Sequence, residues 1–260
     1  MGNTIYAGLD LSKNHFGLTI LNSDEPEFNV YCYTSIANMT KKQVKEYNDK
    51  PYEMIVTDVY SKHPNYIRIE IRVNPNLNKL EMDSVKSKAI NETIIWLFKM
   101  WGNIELEEDE LFLSLEDYIV MNNGIVSLVH TTEEFKYRFL SDDYNNIYPL
   151  NRTIFLCCNS TWKKLLGKEA SAKPTGKDRY ENIKSCIKHN YPNIQECLDK
   201  LDEIKASEDI KKDIIDSFGL ANAGTKRYLP LFKNYSKRIF KYERKHSTNG
   251  NEGVYRIIPE

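Results

Sequence analysis

Four carboxylates stand where a fold can gather them. Asp10 ends the apolar run TIYAGLD (4–10), and Glu116 ends a second run, LFLSLE (111–116). Asp213 and Asp216 lie three residues apart in KKDIIDSFGLANAG, a spacing that sets both on one face of a helix. Carboxylates drawn together from such distant positions repel one another when ionised, so a site built from them needs cations or shared protons. An all-oxygen donor set suits Mg2+ or Mn2+. Two such ions ~4 Å apart activate water and stabilise the leaving oxygen of a phosphodiester. With 37 acidic residues in the chain, a strand-end aspartate taken singly is more often solvated than catalytic. The four acquire chemistry only if the fold makes them meet.

The elements that must position them follow from pattern. TIYAGLD and FGLTIL (16–21) read as a β-hairpin joined by the polar turn LSKNH, with Asp10 at the end of its first strand. His15 lies in that turn, either exposed to solvent or positioning water or DNA. NVYCYTSI (29–36) is a third strand, and IVTDVY (55–60) and YIRIEIRV (66–73) are strand candidates. The last alternates Ile with charge, as an exposed edge or half-buried strand does. A helix is expected over 83–101, capped by Asp83, with Val85, Ala89, Thr93, Leu97 and Trp101 at helical spacing. An apolar run at 124–129, a helix near 131–140 and the strand TIFLCC (153–158) follow. A short helix, TWKKLL, then leads into the Gly/Pro/Lys loop 167–178. Helices are expected over 179–189, 193–205 and 208–223. In the last of these, a stripe of Ile214, Phe218 and Ala221 would pack on the sheet and hold the two acids at its rim.

Composition narrows the classes. The chain has 260 residues, 41% hydrophobic, which suits one large domain or a domain with an insertion. Its formal net charge of −1 excludes a uniformly basic coat protein but allows a local basic surface. The five cysteines form no CxxC pair and read as reduced core thiols of a cytoplasmic protein. No apolar run reaches the ~20 residues that span a bilayer, and the N-terminus reads directly as a strand rather than as a signal peptide. Residues 226–246 hold eight Lys/Arg against one acid, Glu243, interleaved with aromatics. That extension, starting at Lys226 and Arg227, reads either as a DNA-facing surface with stacking aromatics or as an amphipathic packing segment.

Four segments together resemble RuvC-type Holliday-junction resolvases, particularly their phage and viral relatives. IYAGLDLSKNHFGLTIL resembles the opening hairpin of that family, and LFLSLEDY the strand that supplies its second acid. LCCNSTWKKLLGKEASAKPTGKDRYENI resembles the strand, Lys-bearing helix and loop that follow. DIIDSFGLANAG resembles the C-terminal helix with its two acids. Order and spacing agree from residue 5 to residue 224, and the matched segments make up about a third of the chain.

The resemblance implies an RNase H-like α/β fold, a five-stranded mixed sheet flanked by helices on both faces. It would occupy residues 1–225 with an insertion at about 37–82, ahead of the basic aromatic extension 226–260. It also implies a homodimer, located in the cytoplasm, that binds branched DNA and cuts four-way junctions with divalent metal. The implied ligands of two Mg2+ (or Mn2+) ions are Asp10, Glu116, Asp213 and Asp216. Lys163 or Lys164, with Lys173 or Lys177, would hold the phosphates of the scissile region. The chain departs from the family pattern in Ile214 and Ile215 between the last two acids, in Ser12, and in the added segments. Another RNase H-like nuclease or strand-transfer activity, and a junction-binding protein with decayed catalysis, remain alternatives.

Overall fold

A computed structural model describes residues 4–12, 14–22, 29–47, 50–60, 65–101, 109–116, 126–141, 151–157, 159–167, 170, 177–227, 245–247 and 250–257. The opening hairpin is β1 (Thr4–Leu11) and β2 (His15–Asn22), paired antiparallel with Asp10 opposite Gly17. β3 (Val30–Asn38) continues antiparallel on β2. On the other side of β1, β6 (Glu110–Glu116) and then β7 (Asn151–Cys157) run parallel to it.

The expected insertion at 37–82 adds strands to the sheet. After the short helix α1 (Lys41–Glu46), β4 (Tyr52–Tyr60) and β5 (Asn65–Val73) form a hairpin, and β5 pairs parallel with β3. The expected five-stranded sheet is therefore corrected to a larger mixed sheet, whose first seven strands are ordered β4-β5-β3-β2-β1-β6-β7 and which two further strands beyond β7 bring to nine. The physical reason is the edge of β3, whose backbone donors and acceptors are met by the added hairpin. β5 is not an edge strand. Ile67, Ile69 and Ile71 are fully buried on one face, and Arg68, Glu70 and Arg72 face the other. At the far side, β9 (Gly250–Ile257) pairs antiparallel with β7, and β8 (Lys245–Ser247) follows it.

Side-chain alternation splits the core between the two faces of the sheet. Ile5, Ala7, Leu9 and Leu11 pack with α2 (Lys79–Trp101) and α3 (Val126–Leu140) through Ile90, Ile94, Leu97, Phe135 and Phe139. Tyr31, Tyr66 and Phe155 face α4 (Asn159–Leu166), α5 (Lys177–Asn190), α6 (Pro192–Glu203) and α7 (Glu208–Arg227). Helices thus flank both faces.

Two helix boundaries differ from expectation. α2 begins at Lys79, because Asn78 and Glu81 exchange reciprocal cap bonds of 3.0 and 2.9 Å, and Asp83 lies buried inside the helix. The apolar run at 124–129 is no separate element; from Val126 it belongs to α3. The C-terminal end of α3 is tied to β7 by the buried Arg152, whose guanidinium donates to the carbonyls of Phe139 (2.6 Å) and Ser141 (2.7 Å).

Candidate active site

The site starts from the register of β1 and β6. Leu9 stands opposite Leu115, and both enter the core on the α2 side. Their successors, Asp10 and Glu116, therefore turn to the opposite face, under α7, at the C-terminal ends of two adjacent parallel strands.

α7 reaches these strands because two strand residues lack side chains. A Cβ on Gly8 would stand 2.0 Å from the carbonyl oxygen of Ser217 and 2.3 Å from the amide nitrogen of Ala221. A Cβ on Gly17 would stand 2.1 Å from the carbonyl oxygen of Asp213. The helix backbone thus lies directly on the hairpin, beside Asp10. Thr19 and Ser217 share a hydrogen bond of 2.9 Å across the same contact.

The helix residues nearest the hairpin glycines are Asp213, Ser217, Leu220 and Ala221, so of the expected stripe of Ile214, Phe218 and Ala221 it is Ala221 that stands there. Phe218 sets its ring edge-on to that of Tyr191, just before α6, at 5.2 Å. Small residues are selected against the hairpin because the backbones are so close. Ile214 and Ile215 are fully buried in the cluster that joins Tyr31, Tyr66 and Phe155 of the sheet to the helices.

Electrostatics tie the four acids together. Burial and the charges of Asp216, Glu116 and Asp213, in that order, push the Asp10 carboxyl well above the usual range. Asp216, 8% exposed, is pushed up to about 7, chiefly by burial and further by Glu116 and Asp213, against the opposing pull of Lys163 and Lys212. Asp213 is also raised, by burial, and held down mainly by His15. Each shift marks a carboxylate for which the ionised form is costly without a cation nearby.

His15 and Lys212 join the constellation. His15 Nδ1 hydrogen-bonds Asp213 Oδ2 across 198 residues of sequence, and the His15 ring stacks on Tyr33 at 6.2 Å. The hairpin register puts His15 at the same end of the sheet as Asp10, but no local signal names its partner. Lys212 is exposed and lowers the cost of charge on three of the acids. Its place beside Asp213 in the sequence is the only advance sign of that role.

The basic residues divide. Lys163 is buried on α4 near Asp216, its ammonium 4.6 Å from the Trp162 ring centroid. Trp162 is itself locked against Gly219 of α7, where a Cβ would approach the ring to 2.3 Å. Lys164 is exposed on the same helix. Lys177 opens α5, and Lys226 and Arg227 close α7. Lys173 lies outside the described residues.

The donors are all oxygen. All four acids offer oxygen, and Asp216 Oδ1 is buried without a hydrogen-bond partner, which is the condition of an atom suited to a cation. Among the described residues, no three His, Cys, Asp or Glu side chains form a ready-made metal-holding group. Among them, too, no helix is long and apolar enough to cross a membrane. Comparison with protein-family models, curated proteins and solved structures finds no match for this chain.

Proposed function

We propose that this chain is a metal-dependent endodeoxyribonuclease of RNase H-like architecture that resolves four-way DNA junctions. The observation that supports the reading is the position of Asp10 and Glu116 at the C-terminal ends of two adjacent parallel strands, with the α7 backbone that bears Asp213 lying directly on the hairpin. The acid-bearing strands β1 and β6 lie at the centre of a mixed sheet with helices on both faces, which supports the reading; β4 and β5 extend one edge and β9 and β8 the other.

In this reading Asp10, Glu116 and Asp216 supply oxygen donors, with Asp213 as the family's fourth. Mg2+ or Mn2+ held there would supply water activation and neutralise charge on the phosphodiester. The chain's own residues prepare that site. The α7 backbone lies directly against Gly8 and Gly17 beside Asp10. The Lys163 ammonium offsets the charge of Asp216 from within. The exposed Lys212 adds positive charge at the rim, where a phosphate backbone would approach. A homodimer would present two such sites to two opposed strands.

The test is cleavage of a synthetic four-way junction carrying strand-specific labels, with Mg2+, beside duplex and RNA–DNA hybrid controls. Asp10→Asn should abolish cutting and keep junction binding, because it removes charge with little change in volume. Undiminished cutting by that variant rejects the assignment. Preferential cutting of the hybrid would move the chain to another RNase H-like activity. One observation favours a second reading, a junction-binding protein without turnover: the absence of a ready-made metal group among the described residues. It expects the wild type to bind junctions and leave every strand whole.

A further inference from the structure

We infer that the DNA strand held at the acids runs from them across β2, β3 and β5, and that Arg68 holds one of its phosphates. The inference rests on the nuclease reading and adds to it a docking surface outside the acid cluster.

Register lays out the path. Asp10 pairs with Gly17, Gly17 with Tyr33, and Tyr33 with Arg68, one residue from each of four neighbouring strands. Residues paired directly across a sheet point to the same face, so all four stand on the side that α7 covers at Gly17. In the other direction the row passes through Glu116 to Cys157, which is fully buried in the cluster that holds Trp162 and Leu166 of α4. Among the described residues, the row is therefore closed beyond β6 and open beyond β3.

The open end has the chemistry of a phosphate contact. The helix layer buries Tyr31 and Tyr66, but Arg68, two residues along β5 from Tyr66 and on the same face, is exposed. Ile67, Ile69 and Ile71, fully buried on the opposite face, hold the register that turns Arg68 outward, because a slip of one residue would expose all three. Tyr33 is the floor between Asp10 and Arg68, and the His15 ring, its side chain 36% exposed, stacks on it at 6.2 Å. Glu70, on the same face, has its charge met by Arg72 at 2.7 and 3.4 Å. A guanidinium presents a fork of donors that matches phosphate oxygens. Three strand spacings of ~4.8 Å set Arg68 ~14 Å from Asp10. At ~3.4 Å per nucleotide that is about four nucleotides of one DNA strand.

The full chain is titrated into a fluorescently labelled four-way junction, in chelator and over a range of salt, with binding read by anisotropy. Arg68→Gln should weaken binding and make the slope of log affinity against log salt shallower by ~1, the effect of one lost phosphate contact. Its Tm should match the wild type, because the side chain is exposed. Arg68→Lys keeps the charge and should keep the slope. Lys88→Gln makes the same change of charge on α2, behind the opposite face, and should keep it too. In a second arm, one phosphate of the junction at a time is replaced by an uncharged methylphosphonate. The Arg68→Gln penalty should vanish at one phosphate, ~4 nucleotides from the bond cut when Mg2+ is added. A wild-type slope in Arg68→Gln, or equal slope losses in Arg68→Gln and Lys88→Gln, overturns the inference and leaves the nuclease reading standing. A penalty that survives every replacement does the same. A wild type that binds no junction overturns the inference and the nuclease reading together.

Discussion

Gly17→Ala probes the contact on which the candidate site depends. The added methyl would lie 2.1 Å from the carbonyl oxygen of Asp213, 2.6 Å from its carbonyl carbon and 3.1 Å from Ser217 Oγ. Ordinary contact begins near 3.4 Å, so α7 must retreat by ~1.3 Å at Asp213. The obstacle is helix backbone, which no rotamer change can move aside. Overpacking of this kind costs up to ~3 kcal/mol or more. Against it stands a gain of ~0.4–1 kcal/mol from stiffening the unfolded chain at a former glycine. The clash wins, with a net loss of ~2–3 kcal/mol. For a chain of this size that lowers Tm by ~5–10 °C. A retreat of ~1 Å at the acids should also cost ~100-fold in junction cutting by whatever protein remains folded. Thermal unfolding followed by circular dichroism, with cleavage assayed well below the transition, measures both. Gly224→Ala is the control. Its nearest neighbours are the Ser114 hydroxyl at 3.1 Å and the Tyr6 ring at 3.4 Å, and helix propensity favours alanine there. It should leave Tm unchanged or raise it. A Gly17→Ala protein that melts with the wild type would mean that α7 does not rest on β2 at Asp213, and the placement of the acids would fall with it.

Two further outcomes follow from the same contacts. Asp10, Asp213 and Asp216 all hold protons more tightly when folded than when unfolded, so the stability they contribute is present at low pH and is lost as pH rises. The window for Asp216 runs from its ordinary value of 3.8 up to about 7, a change worth a few kcal/mol at ~1.4 kcal/mol per tenfold preference. In the presence of a chelator, Tm should therefore be higher near pH ~6 than near pH ~8, and Asp216→Asn or saturating Mg2+ should shrink that difference. An unchanged difference in Asp216→Asn contradicts the assignment. Arg152→Met should destabilise the chain by ~3 kcal/mol, because it strips the carbonyls of Phe139 and Ser141 of their buried donor. Urea unfolding measures this loss, and a variant as stable as the wild type would show that α3 is held to β7 by packing alone.

Much of the frame is local and was readable as such. The β1–β2 hairpin, β5, β7 and α7 announce themselves because alternation and helical spacing depend only on neighbours within a few residues. Asp10 and Glu116 at strand ends, and Asp213 three residues before Asp216, are visible for the same reason. The start of α2 was misplaced because Asn78 and Asp83 carry equally good capping side chains. Only the reciprocal bond with Glu81 chooses Asn78.

What the chain's residues determined alone is therefore the set of elements and the acids they carry at their ends. Tertiary structure decided which edge the β4–β5 hairpin would join, which helix face would meet the hairpin, and which acid would take His15. Those choices rest on contacts between residues far apart in sequence: Gly17 beneath Asp213, Gly8 beneath Ser217, His15 against Asp213. Close approach of two backbones leaves no periodic trace in either segment. A glycine in a strand says that something comes near, and only the folded chain says what.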